Sequence, residues 1–89
     1  MEGVTPGRIV HFFHPQLRGP RAALIVQVWG DSGVANLTVF PDWQNDAAFV
    51  GYNTYDGKAT AWATSVRHRS EAERDGNLAN AIYWDWPTQ

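Results

Sequence analysis

The chain has 89 residues and a formal net charge of −2, so it is a single domain (1–89) with a thin hydrophobic core. It contains no cysteine, which excludes disulfides and thiolate metal sites, while five Trp, three Tyr and four Phe supply bulky apolar side chains. The charge balance argues against binding to long nucleic acids or acidic membranes, because both favour a strongly basic protein face.

The first half of the chain predicts three strands. Residues 8–13 are β-branched and aromatic, and Pro15 follows them, so we predict a strand that ends at this proline. Residues 21–29 predict a second strand and residues 34–40 a third. The turn at residues 30–33 contains two glycines, so the second and third strands are expected to form a hairpin.

Residues 42–58, which we term the aromatic loop, have no sustained period of two or 3.6. A structureless segment of this length is uncommon in a compact domain and is often functional. Trp43, Tyr52 and Tyr55 lie in it, and residues 42–46 could form one helical turn.

The second half predicts two further strands. Residues 60–68 form the fourth and residues 81–86 the fifth, with a charged turn at residues 70–77 between them. Ser70 is the expected N-cap of a helical turn in this connection. Alternation along the fourth strand predicts a common face for Trp62, Thr64, Val66 and His68.

These elements predict an all-β fold, a small five-stranded antiparallel SH3-like barrel with a long aromatic loop. An OB-fold barrel is the main alternative, but no convincing helix separates the third and fourth strands. The predicted core is Ile25, Val26, Val28, Leu37, Val39, Val66, Ile82 and Trp84.

No catalytic, cofactor or metal motif is recognisable. His11 and His14 are three residues apart on a strand and point to opposite faces, so they cannot share a metal ion without a bend. No phosphate-binding loop and no Gly-x-Ser-x-Gly motif is present. We therefore expect a protein that is not an enzyme and has no cofactor.

Arginines provide the candidate anion site. Arg67 and Arg69 on one strand face would be about 6.8 Å apart, which suits phosphate oxygens. Arg18 and His14 lie together in the loop before the second strand and would add to the site. The alternative is that these arginines are solvated charges, some of them paired with nearby acidic residues of the charged turn.

The rings of the aromatic loop are the second half of the candidate site. Trp43, Tyr52 or Tyr55 would stack on a nucleotide base, an interaction that contributes about 1–3 kcal/mol per base. The alternative is that these rings cap the open end of the barrel and complete the core.

Residues 7–11 (Gly-Arg-Ile-Val-His), the strand at residues 21–26, the strand at residues 37–40 and the terminal Trp-x-Trp-Pro at residues 84–87 resemble small phage-encoded β-barrel proteins. Asp85 stands where that pattern often has His, and the aromatic loop is not part of it. The resemblance carries over no catalytic residues. It implies a phage context, in which small β-proteins include counter-defence sponges that sequester nucleotide second messengers.

We therefore expect a non-enzymatic binding protein in the cytoplasm of an infected bacterial host, and no membrane segment is recognisable. Its ligand is expected to be a small anionic nucleotide; the alternative is a protein-interaction module for a host or virion protein. The excess of large aromatic residues beside a thin core predicts a homo-oligomer.

Overall fold

The computed structural model describes residues 1–42, 44–46, 49, 60–76 and 78–87. Five strands are present within two residues of the predicted bounds at each end. The elements in chain order are β1 (Ile9–Phe13), β2 (Arg21–Trp29), β3 (Val34–Val39), β4 (Ala61–His68), α1 (Arg69–Arg74), a short 3₁₀ helix (Leu78–Asn80) and β5 (Tyr83–Asp85).

The strands close into a barrel in the order β1-β2-β3-β4-β5, with β5 paired to β1. The predicted all-β, five-stranded SH3-like barrel is confirmed. The expectation that every pairing is antiparallel is wrong at one seam, because β4 and β5 run parallel while the other four pairings are antiparallel. Parallel neighbours need a crossover connection, and α1 with the 3₁₀ helix provides it between β4 and β5.

Most of the predicted core is buried. Ile25, Leu37, Val39, Val66 and Trp84 are all at most 4% exposed, and Val28 packs against them while partly buried. Two predicted core residues are wrong, since Val26 is 43% exposed and Ile82 is 47% exposed. The core also contains residues that the prediction did not include: Val4, Val10, Phe12, Ala23, Ala35, Phe49 and Ala61.

A bulge in β2 explains the exposure of Val26. Ile25 pairs with Leu37 and Gln27 pairs with Asn36, so Val26 is an extra residue without a partner on β3. A bulge reverses the face on which the following side chains lie. The side chain after the bulge that faces the core is therefore the one at position 28.

A second bulge, in β4, separates Trp62 from Val66, which were predicted to lie on the same face of that strand. Ala63 pairs with Leu37 and Val66 with Ala35, which leaves two β4 residues opposite Asn36. One of them is Ser65, whose φ of +53° is rare for a residue with a side chain. As a result Ala61 and Val66 face the core, and Trp62 is 49% exposed.

Asn36 connects the two bulges. Its Oδ1 accepts a hydrogen bond from the Ser65 backbone N–H at 2.8 Å and another from Trp29 Nε1 at 3.0 Å. One side-chain oxygen thus binds both the Ser65 backbone N–H at the β4 bulge and the Trp29 indole at the end of β2.

The cap of α1 differs from the prediction. His68, not Ser70, is the N-cap, and its Nδ1 accepts the Ser70 backbone N–H at 3.1 Å. The strand and the helix are contiguous, so the residue at the junction is the one positioned to bind the free N–H groups of the first turn.

A buried carboxylate ties the start of the aromatic loop to β2. Asp46 is fully buried, and its two oxygens accept hydrogen bonds from Arg21 Nε at 2.7 Å and Nη2 at 2.9 Å. The Asp42 backbone N–H donates to Oδ2 at 2.6 Å, and the Asp46 N–H donates to the Asp42 carbonyl at 2.8 Å. Asp42 and Asp46 are thus bonded to each other and held against β2 by the ion pair with Arg21.

Replacement of Trp84 tests the centre of the core. Trp84→Ala removes a fully buried indole and is expected to lower the free energy of unfolding by about 3–5 kcal/mol. Trp62→Ala is the matched control at a half-exposed Trp and should cost far less. Urea denaturation followed by circular dichroism measures both variants, and equal losses would contradict the assignment of Trp84 to the core.

The buried ion pair predicts a specific pH dependence. Hydrogen bonding from Arg21 holds the pKa of Asp46 below its usual 3.8, so the ionised carboxylate stabilises the fold above that pH, and the stabilisation is lost as pH falls through the folded-state pKa. Asp46→Asn should lower stability by about 3–5 kcal/mol near neutral pH, because it leaves Arg21 without its charged partner.

The same variant gives the test at low pH. The difference between the urea midpoints of wild type and Asp46→Asn should be largest near neutral pH and should shrink as pH falls below 3.8, the usual carboxyl value. A difference between the two midpoints that stays constant across this range would contradict the role of the Asp46 charge.

Candidate functional site

The loop between β1 and β2 begins with a turn centred on His14. Pro15 follows directly and cannot donate a backbone hydrogen bond to the sheet, which ends β1 at Phe13. The Leu17 N–H donates to the His14 carbonyl at 2.9 Å, and the Gln16 N–H donates to His14 Nδ1 at 3.0 Å. These bonds fix the imidazole and the start of the loop.

A groove of about 210 Å³ lies between this loop and the 3₁₀ helix. We term it the first groove. Phe13 and Tyr83 are opposite each other on β1 and β5, and their rings stack with centroids 4.6 Å apart and planes 13° apart. The lining is Phe13, His14, Pro15, Leu17, Gly19, Leu78, Ala79, Ala81 and Tyr83.

A second groove, of about 230 Å³, adjoins the other side of His14. Trp62 and Ile82 are both about half exposed there, so its walls present apolar surface to solvent. Its lining is Phe12, His14, Phe49, Trp62, Ala63, Thr64, Val66 and Ile82.

His14 is the residue common to both grooves. Its ring meets Phe49 edge-on with centroids 5.0 Å apart, and burial lowers its pKa below the ordinary 6.5. Because Nδ1 accepts the Gln16 N–H, the neutral ring carries its proton on Nε2. All the other described residues that line the two grooves are uncharged, so this part of the combined surface, here the His14 grooves, has no formal charge near neutral pH.

The arginines predicted to bind an anion are not a free pair on one strand. β4 ends at His68, which places Arg67 on the strand and Arg69 at the start of α1. Arg67 binds Asp75 at 2.7 Å, and Arg69 binds Glu73 at 2.6 Å and Asp85 at 3.4 Å. The expectation of a shared strand face is wrong, and the alternative of charges paired with acidic neighbours describes what the structure shows.

The other predicted site residues divide into two groups. His14 and Arg18 lie together in the β1–β2 loop, where Arg18 is exposed. Neither groove has Arg18 in its lining. Trp43, Tyr52 and Tyr55 lie outside the described residues.

One polar cluster contains the residue types of a hydrolase triad. His68 Nδ1 is 3.0 Å from Ser70 Oγ, and His68 Nε2 is 3.3 Å from Asp85 Oδ1. The Nδ1 lone pair is already occupied by the Ser70 backbone N–H, since His68 caps α1. A ring nitrogen committed to a helix cap cannot also accept the hydroxyl proton, so this cluster is explained by its structural role.

Within the part of the chain that the structure describes, no group of three or more His, Cys, Asp or Glu side chains is arranged to hold a metal ion. None of the helices formed by these residues has the length and apolar content needed to cross a bilayer.

The chain was compared with protein-family models, with curated proteins and with solved structures, and none of the three comparisons gave a match.

Sequence reasoning missed both the buried ion pair and the grooves. Arg21 and Asp46 are 25 positions apart, and the β2–β3 hairpin, in which the Phe40 N–H donates to the Ala22 carbonyl at 2.9 Å, brings the chain after β3 back to Arg21. For the first groove a signal existed in the three apolar residues that follow the charged turn: Leu78, Ala79 and Ala81.

His14 gives a spectroscopic test of the grooves. Since burial favours the neutral ring, its NMR titration midpoint should lie below 6.5, with the proton on Nε2 in the neutral form. In Leu17→Ala, which opens the first groove beside the ring, the midpoint should move back towards 6.5. A wild-type midpoint at or above 6.5 would contradict the burial of this side chain.

Proposed function

We propose that the chain is a non-enzymatic protein-interaction module and that apolar side chains of an extended partner segment occupy the His14 grooves. The observation that carries the proposal is the pair of adjacent, uncharged concavities that share one neutral histidine. Aromatic-lined grooves of this kind suit extended peptides, including proline-rich ones.

The size of the grooves favours a side chain over a small-molecule ligand. Sites for drug-sized molecules usually enclose about 300–1,000 Å³, whereas the grooves measure about 210 and 230 Å³. Two small concavities on either side of His14 suit two side chains of one segment better than one nucleotide.

The charge of the grooves points in the same direction. A phosphate group leaves water only for charged or strongly polar partners, and the described lining of each groove contains no Arg or Lys residue. An apolar side chain needs no such partner, and covering Trp62, Ile82 and the stacked Phe13 and Tyr83 rings would contribute roughly 25 cal/mol per Å² of apolar area.

A nucleotide-binding sponge is the second candidate function. It is supported by the exposure of Arg67 and Arg69, whose side chains remain 43% and 45% exposed despite their ion pairs. Exposed ion pairs contribute about 0–1 kcal/mol, so a phosphate could replace their carboxylate partners. The phage origin, the counter-defence role and the cytoplasmic location remain predictions based on the resemblance described above.

A peptide-library selection tests the first candidate. Selected peptides should contain apolar or proline residues, and their affinity should depend little on salt because the grooves carry no charge. Ala79→Glu places a carboxylate on the exposed rim of the first groove and should weaken binding at least about tenfold. Ser32→Glu, in the exposed β2–β3 turn, is the matched control and should bind as the wild type does.

Calorimetry separates the two candidates. Linear and cyclic di- and trinucleotides and ADP-ribose derivatives form the ligand panel, and wild type is compared with Arg67→Gln and Arg69→Gln. Nucleotide binding tighter than about 100 µM that is lost in these variants and kept in Ala79→Glu would favour the sponge and contradict the peptide proposal.

A further inference from the structure

We infer that the outer face of β1–β4 is the contact surface of a homodimer. This surface, the outer sheet face, is formed by Ile9, Leu24, Val26, Phe40 and Trp62. The inference does not rest on the proposed function, because the two surfaces share only Trp62.

The register of the barrel places these side chains in a compact patch. Ile9 is opposite Leu24, Leu24 is opposite Thr38, and Thr38 is opposite Trp62, so one row crosses four strands. At a strand spacing of about 4.8 Å the row is about 14 Å long. Val26 and Phe40 lie beyond the row on opposite sides, two residues from Leu24 and Thr38 respectively.

The patch is apolar and exposed. Ile9 is 59% exposed, Trp62 is 49% exposed, and Val26 and Phe40 are each 43% exposed. Among the described residues, the outward positions next to them on β1–β4 are uncharged: His11, Ala22, Asn36, Thr38 and Thr64. Arg67 lies farther along β4. A partner for this face must therefore be uncharged and apolar over the same area.

The apolar area of the patch is close to the apolar part of one side of a standard interface. A large side chain covers roughly 150–250 Å² when fully buried, so four residues exposed to 43–59% offer roughly 400 Å² of apolar surface. Specific interfaces bury about 800 Å² per partner, somewhat over half of it apolar. The patch alone thus supplies most of the apolar area that one side of a stable dimer needs.

The uncharged row suits a second copy of the same chain, because a two-fold contact sets like against like and would oppose any charge with the same charge. The ends of the row are Ile9 and Trp62, and Leu24 and Thr38 lie between them. In a two-fold dimer identical patches meet in opposite directions, which would place Trp62 of one copy over Ile9 of the other. Each of the five described strands is paired with two neighbours within the chain, which favours a contact through side chains over pairing of strand edges.

Sedimentation is the primary test. Sedimentation of the wild type should give a mass twice the 10.0 kDa of one chain. Ile9→Glu and Phe40→Glu should each weaken dimerisation at least about tenfold, and their circular dichroism spectra should match that of the wild type. Ala79→Glu, on the first groove, is the control and should remain dimeric. Monomeric wild type at about 200 µM, or dimers insensitive to both variants, would overturn the inference.

A cysteine test locates the dimer axis and avoids variants that alter stability. The chain has no cysteine, so Thr38→Cys introduces a single thiol near the expected axis, where the two Cβ atoms can approach to about 4 Å. Mild oxidation should convert most of the protein to a covalent dimer. Ser32→Cys, away from the face, should not cross-link, and equal cross-linking of the two variants would contradict the assignment.

The sedimentation experiment can refute the dimer, and the library experiment can refute peptide binding, without either result deciding the other. Ile9→Glu alters the outer sheet face and leaves the first groove intact, whereas Ala79→Glu does the reverse. A monomer that still binds the selected peptides would refute the dimer alone.

Discussion

The indole of Trp84 is fully buried, and its Nε1 donates a 2.7 Å hydrogen bond to the carbonyl of Gly33 in the β2–β3 turn. β5 has only three residues, yet Trp84 is paired through its backbone with Phe12 on β1 and with His68 on β4. The bond to Gly33 links this short strand to the opposite side of the barrel. A glycine is required there, because its φ is +86° and a Cβ would lie 3.3 Å from His68.

Closure by β5 creates the surfaces that we propose to be functional. The parallel seam needs a crossover, and its 3₁₀ helix becomes one wall of the first groove. Tyr83, next to Trp84, brings its ring onto Phe13 at the same point. The charged side chains of the crossover are largely occupied with each other. The described walls of the grooves and the five residues of the outer sheet face are uncharged, and these ion pairs lie outside them.

The sequence predicted the bounds of the strands more accurately than it predicted which side chains of each strand face the core. The bounds of β2 agree at both ends, because Gly-rich and Pro-containing turns surround an unbroken run of β-formers. Val26 and Val28 were assigned to one face, and the β2 bulge that turns their side chains to different faces has no reliable sequence signature. Ile82 was misplaced because β5 begins only at Tyr83.

The candidate site was harder to predict than the fold. His14 was included for its position near Arg18, and the structure places it between two grooves instead. The pairing of Arg67 and Arg69 on one face failed because β4 ends one residue too early. The grooves combine side chains from separate elements, and such a combination follows from the closed barrel and not from local periodicity.

Hydrogen exchange of the indole protons tests the central constraint most directly. If Trp84 closes the barrel, its Nε1 proton should exchange only through global unfolding, with the slowest rate among Trp84, Trp62 and Trp86, and its exchange free energy should equal that of unfolding. Exchange of the Trp84 indole proton as fast as that of the half-exposed Trp62 would show that β5 opens locally, and would contradict both the closed barrel and the grooves that depend on it.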